Sequence, residues 1–152
     1  MMETRIVEKG EFVVVGAAQA GQMGEFNYSE IWEKQYMPLD GQIKPFSVDG
    51  GYYGVTLMEN GHLVYLAGMA VEGLAEIPAG AEKRVVPAAQ YAVFDCTLGN
   101  ISATWKEAYE EWLPASDYEV ERSAMDFEYY PPFPGQGDMP VEIHIPVKPK
   151  AK

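Results

Sequence analysis

One pattern runs twice along this chain and limits its fold more than any single motif does. An extended segment leads into a helix with large aromatic side chains on one face; the helix closes on an aromatic, a hydrophobe and a proline, and two strands follow. In the first copy the helix carries Tyr28, Ile31, Trp32 and Tyr36 and closes as Tyr36-Met37-Pro38; in the second it carries Trp105, Tyr109 and Trp112 and closes as Trp112-Leu113-Pro114. Residues three or four apart share a helix face, so each helix offers one aromatic stripe to a sheet. The duplication predicts an α+β protein of two β-α-β-β units, each an antiparallel sheet with a helix on one face, related by a pseudo-twofold axis with a ligand cleft between the halves. The repeats fall at about residues 1–79 and 80–148 of a single domain over 1–152, with a polar tail at 149–152.

Local signals place the elements. Arg5 to Ala20 reads as one extended segment, β-branched at Val13, Val14 and Val15, with Gly10 and Gly16 available for a bend. Asn27 or Ser29 can cap the first helix, and Pro38 is expected to stop it. Turns at Asp40-Gly41 and Asp49-Gly50-Gly51 precede strands Tyr52 to Met58 and His62 to Val71, joined through Glu59-Asn60-Gly61. Glu82 to Thr97 again reads as extended, Gly99-Asn100 opens the second helix and Pro114 ends it. Strands Asp126 to Tyr130 and Val141 to Val147 follow, separated by the breaker-rich Pro131–Gly137 loop, and the polar tail begins near Lys148.

Composition then removes function classes. Twenty-three acidic against 11 basic residues give a net charge of −12, which repels phosphate backbones, so no direct nucleic-acid partner is expected. No apolar run approaches the ~18 residues of a membrane span, and the amino terminus lacks a basic start followed by an apolar core, so neither membrane insertion nor secretion is expected. The lone Cys96 sits in an apolar run and cannot form an internal disulfide, which suits a cytoplasmic location. There is no Gly-x-Ser-x-Gly, P-loop or dinucleotide fingerprint. His62 and His144 stand far apart in strand contexts, His144 reads as a sheet-face histidine, and neither a metal site nor a cofactor is expected.

The candidate chemistry lies on strands and helix faces. In Asp126-Phe-Glu-Tyr-Tyr130 the alternation points Asp126, Glu128 and Tyr130 one way and Phe127 and Tyr129 the other. If Phe127 and Tyr129 pack on the helix, Glu128 lies beneath the cleft between the halves, flanked by a tyrosine, where a carboxylate is costly without a partner. A bound cation held by charge and ring faces would be that partner. The plainer alternative is a glutamate facing water or pairing with Lys83 or Arg84. The helix stripes, Trp105, Tyr109 and Trp112 in one and Tyr28, Trp32 and Tyr36 in the other, read as core with some members available to line a pocket. One of Tyr52 and Tyr53 must face away from its helix, and Tyr65 lies in the same hairpin. Glu107, Glu110 and Glu111 read as a solvated helix face.

In order and spacing, Ile77-Pro-Ala-Gly80, Tyr91-Ala-Val-Phe94, Trp112-Leu-Pro114, Asp117-Tyr118-Glu119, Asp126-Phe-Glu-Tyr129 and Val141-Glu-Ile-His-Ile-Pro-Val147 resemble the GyrI-like, SOUL-related small-molecule-binding domain, found alone or attached to AraC-type and MerR-type regulators. The resemblance spans nearly the whole chain. It implies a ligand in the cleft between halves and a pocket-floor glutamate among aromatic rings that accepts cationic drugs, a position matched here by Glu128, with Trp105 as an aromatic contact. With its first strand starting close to Met1, the chain is expected to be the stand-alone form, without a helix-turn-helix.

The expected function is capture of small amphipathic, preferably cationic, aromatic molecules for drug or toxin sensing or sequestration. Glu128 supplies the charge, and Trp105, Tyr130, Tyr65, Tyr53, Tyr109 and Trp32 supply the walls. Two alternatives stand beside it: a hydrolase of cyclopropane-bearing electrophilic toxins with Glu128 as general base, and an interaction module inhibiting a partner such as gyrase. A protein partner or homodimer is compatible with each.

Overall fold

The computed structural model describes residues 4–22, 25–133, 135 and 137–150. Nine strands run as β1 (Thr4–Lys9), β2 (Phe12–Gly21), β3 (Tyr52–Glu59), β4 (His62–Ala70), β5 (Glu82–Val86), β6 (Ala89–Thr97), β7 (Tyr118–Val120), β8 (Asp126–Tyr130) and β9 (Pro140–Pro149). Two helical stretches, α1 (residues 28–46) and α2 (residues 98–115), lie between β2 and β3 and between β6 and β7.

The chain divides into two compact units, one of Phe12–Val86 and one of Met1–Glu11 with Pro87–Lys152. In the first, the antiparallel order is β3-β4-β2-β5; in the second it is β1-β6-β9-β8, with β7 also pairing to β9. The expected repeat is visible in both: a strand (β2, β6), a helix, then two strands that pair with each other (β3-β4, β8-β9). The outermost strands cross over. β1 precedes β2 in the chain yet pairs with β6, and β5 precedes β6 yet pairs with β2. Where one extended segment was expected over Arg5 to Ala20, the chain breaks at Gly10-Glu11 and sends its two strands to different units; Glu82 to Thr97 breaks likewise at Pro87-Ala88.

Gly16 makes no bulge: β2 stays in register with β4 through it. It sits opposite Gly68, and a Cβ on Gly16 would fall 1.8 Å from the Ala67 carbonyl oxygen, one on Gly68 2.1 Å from that of Val15. The two backbones approach so closely that only glycine fits. The β3-β4 turn is as expected: Asn60 and Gly61 take φ of 53° and 80°, the pair of positive values that a tight two-residue hairpin requires.

Both helices solve the same problem in the same way. Asn27 caps α1 through a bond from the Glu30 amide to Oδ1 at 3.1 Å, and Asn100 accepts the Thr97 amide at the start of α2 at 2.8 Å. Before each proline the helix widens into a π segment, Ile31–Tyr36 in α1 and Ala108–Trp112 in α2. Met37 then bonds back to Trp32 and Leu113 to Ala108, five residues away. The wider turn relieves crowding between the proline ring and the preceding turn's carbonyl, which would otherwise kink or break the helix. Pro38 therefore does not stop α1, and Asp40-Gly41 lies inside the helix instead of forming a turn. Pro114 does fall in the last turn, with Ser116 already extended.

Under α1 the core is Val15, Ile31, Tyr36, Ile43, Tyr65, Ala67 and Met69; under α2 it is Ala92, Phe94, Ala108, Ile143, Ile145 and Val147, with Trp105 and Trp112 packed at its margin. Glu107, Glu110 and Glu111 are exposed, as their spacing implied. The expected polar tail is shorter than read: β9 continues to Pro149 because β7, a strand the sequence reading did not include, pairs Tyr118 with Pro149 and Glu119 with Lys148. Ala151 and Lys152 of that tail, and Pro134 and Gln136 of the expected loop, lie outside the described residues.

Candidate functional site

Register on β8 decides which side chains meet α2. Phe127 pairs with His144 and Glu128 with Ile143, and residues paired across antiparallel strands share a face. Ile143 belongs to the core under α2, so Asp126, Glu128 and Tyr130 lie on the helix side. The alternation is the one expected, but the premise that Phe127 and Tyr129 pack on the helix is reversed. Phe127, 1% exposed, stacks on the His144 ring at 4.4 Å and meets Tyr91 at 5.2 Å on the opposite face.

Glu128 accepts a hydrogen bond on each oxygen, from Trp105 Nε1 to Oε2 at 3.1 Å and from Tyr130 Oη to Oε1 at 2.7 Å. One step along, Tyr109 Oη donates to Asp126 Oδ2 at 2.9 Å, and the Trp105 and Tyr109 rings stack at 6.0 Å and 17°. The result is a two-rung ladder. Four residues of helix advance about 6 Å and two residues of strand about 6.7 Å, so an i, i+4 pair of aromatic donors on α2 reaches an i, i+2 pair of carboxylates on β8.

The members of this set are half-buried, Tyr109 most exposed at 38%. Desolvation pushes the Asp126 carboxyl up to about 6; the Tyr109 hydrogen bond pulls it down, and the charge of Glu128 adds to the rise. Burial raises the Tyr109 hydroxyl, with Asp126 adding to it. The Cys96 thiol is raised by burial and by the Glu128 and Asp95 charges against a hydrogen bond with Thr104, which sets it beside the ladder.

The remaining expected residues lie in the other unit. Trp32 Nε1 donates to Tyr65 Oη at 3.1 Å, and Tyr65, only 2% exposed, packs in the core under α1 against Tyr28 and Phe26. Tyr52 turns toward α1, where its hydroxyl and that of Tyr36 both donate to Asp40 Oδ1, at 3.2 and 2.7 Å. Tyr53 faces the other way, as one of that pair had to, with its ring against Phe12 and its hydroxyl donating to Asp49 at 2.8 Å. Arg84, considered as a partner for Glu128, bonds Glu59 and Glu82 at 2.8 and 2.9 Å.

Sequence reasoning did not single out Asp126 or Asp40. Asp126 shares the β8 alternation with Glu128, so the signal was present; Asp40 was hidden by reading its Asp-Gly pair as a turn. Among the described residues no group of three or more His, Cys, Asp or Glu is placed to hold a metal ion. Two surface hollows are lined by other residues, one of about 170 Å³ bordered by Glu59, His62, Glu82 and Arg84, the other of about 440 Å³ bordered by Tyr118, Arg122, Lys148 and Lys150. No described helix is long and apolar enough to cross a membrane.

The Cass2 family, described as integron-associated effector binding protein, matches residues 5–147. The transcriptional regulator BrlR of Pseudomonas aeruginosa is 31% identical over 96% of this chain and 56% of its own length, so the chain spans little more than half of that curated relative. Among solved structures, SAV2435 bound to tetraphenylphosphonium superposes with a TM-score of 0.78 at 17% identity, covering 97% of this chain and 94% of that one. The integron cassette protein VCH_CASS2 from the mobile metagenome of Vibrio cholerae gives 0.56 at 19% identity, covering 95% of each. At such identities the likeness is one of fold.

Proposed function

The chain belongs to the Cass2 family of integron-associated effector binding proteins, and on that premise we propose that it binds small amphipathic aromatic cations at the acid–aromatic ladder of α2 and β8. Glu128 supplies the charge, and Trp105, Tyr109 and Tyr130 supply flat apolar surface with polar tips. One observation carries this reading: both Glu128 oxygens accept hydrogen bonds from neutral aromatic donors, Trp105 and Tyr130. Such charge-assisted bonds keep the carboxylate ionised in a half-buried place, beside ring faces that a cation can approach. The net charge of −12 adds long-range attraction for cations. The tetraphenylphosphonium held by the structural neighbour SAV2435 is a ligand of the proposed class.

The test is a tryptophan-fluorescence titration with tetraphenylphosphonium and its anionic counterpart of the same shape, tetraphenylborate. Trp105 is the reporter, because its indole N–H lies on Glu128. Wild type should bind the phosphonium and reject the borate, and Glu128→Gln should weaken the phosphonium about tenfold, the scale of one partly desolvated charge. Equal loss for a neutral aromatic ligand would remove the charge mechanism.

A further inference from the structure

The ladder has two acidic rungs, and the proposed function uses only one. Asp126 stands two residues from Glu128 on the same face of β8, so the carboxylates follow the strand repeat of about 6 to 7 Å. Their aromatic partners are stacked side by side at 6.0 Å, so the wall above them has two polar tips at nearly the same spacing. Resting on the proposed function, we infer that Asp126 sets the specificity of this site, which selects dications carrying two ammonium groups at about that separation, such as short linear diamines with an aromatic substituent.

The physical reason is repulsion. Asp126 and Glu128 raise each other's cost, and the ionisable groups acting on Asp126 are Tyr109 from α2, Tyr91 from β6 and Glu128 on its own strand, with Arg122 acting on Tyr109. Below about pH 6 a proton on Asp126 relieves the repulsion and leaves one charge for a monocation. Above it a second ammonium group does so, and it also gains hydrogen bonds to a partly desolvated carboxylate that a quaternary cation cannot make. Discrimination between one and two charges should therefore grow as Asp126 ionises.

Calorimetric titration with N-benzyl-1,4-diaminobutane and with N-benzylbutylamine, which has a similar shape and a single charge, tests this. At a pH near 8 wild type should prefer the diamine about tenfold, and near pH 5 the preference should shrink toward one. Asp126→Asn should shrink the preference toward one, weakening the diamine more than the monoamine, whereas Glu128→Gln should weaken both. Circular dichroism reports whether the Asn variant is folded; if it is not, the two-pH comparison in wild type decides alone. Equal binding of the two amines by wild type, a preference that survives in folded Asp126→Asn, or phosphonium binding with no binding of either amine would overturn the inference. Failure of all three compounds to bind would instead overturn the proposed function on which it rests.

Discussion

His144 and Asp126 are two buried or half-buried ionisable residues whose environments push in opposite directions on stability. Burial drives the His144 imidazole down to about 4, with Lys9 and Arg5 opposing its charge and the Glu142 backbone and Asp95 favouring it. The unfolded chain takes up that proton near 6.5, so stability is complete above that pH and declines as pH falls toward 4, by at most about 3 kcal/mol. Asp126 behaves in reverse. Its folded value near 6 lies above the unfolded one, so the folded state gains stability as pH falls through 6 toward 4. The two contributions overlap and partly cancel, and separate substitutions should expose each. His144→Phe, which keeps a ring beside Phe127 and Tyr91, should flatten or reverse the acid loss in urea midpoints between pH 7 and pH 4.5, while Asp126→Asn should steepen it. Identical slopes in wild type and both variants would show that neither group governs acid stability. None of this is in the sequence: alternation says that His144 faces away from Ile143 and Ile145, but its burial against Phe127 depends on pairing with another strand.

At the scale of elements, some local signals were legible and others misled, and what required a distant partner was not legible at all. Asn60-Gly61 specifies its hairpin within two residues, and the β8 alternation needs only five. Which face of β8 meets α2 depends on register with β9, set by the apolar Ile143, Ile145 and Val147, so the alternation that puts Glu128 with Asp126 and Tyr130 was legible while its side of the sheet was inverted. Pro38 misled because a proline ends a helix only when the preceding turn cannot widen. Gly16 misled because its need for glycine comes from Gly68, fifty-odd residues later. That pair gives a sharp prediction. Gly68→Ala must push the Val15 carbonyl aside, and the resulting backbone shift between β2 and β4 should lower stability by roughly 2 kcal/mol or more, the range of overpacking and strained backbone. Gly41→Ala, with nothing near its added methyl and a place inside α1, should raise stability by a few tenths to about 1 kcal/mol. Denaturant midpoints that move together for the two variants would contradict this account of the close approach.

At the scale of the whole chain, the duplicated pattern was legible but the exchange of outer strands was not, because pairing of β1 with β6 spans most of the sequence and leaves no local trace. The exchange has consequences for how damage spreads. β1 contributes a six-residue ladder to β6 and the Arg5 ion pair with Asp95, while its neighbour in the chain, β2, pairs with β4 and β5. Deleting residues 1–9 should therefore loosen the unit that begins some eighty residues downstream. Amide hydrogen exchange at Tyr91–Thr97 should quicken by roughly a hundredfold, the effect of losing a few kcal/mol of local stability, while exchange in β2, β3 and β4 stays near wild type. A synthetic peptide of residues 1–11 should restore protection to β6. Since Cys96 lies in β6 and α2 follows directly from it, the truncated protein should also lose tetraphenylphosphonium affinity and regain it with the peptide. If β2 lost protection and β6 kept it, proximity in the chain would outweigh pairing in the sheet, and the site on α2 and β8 would not depend on the first strand.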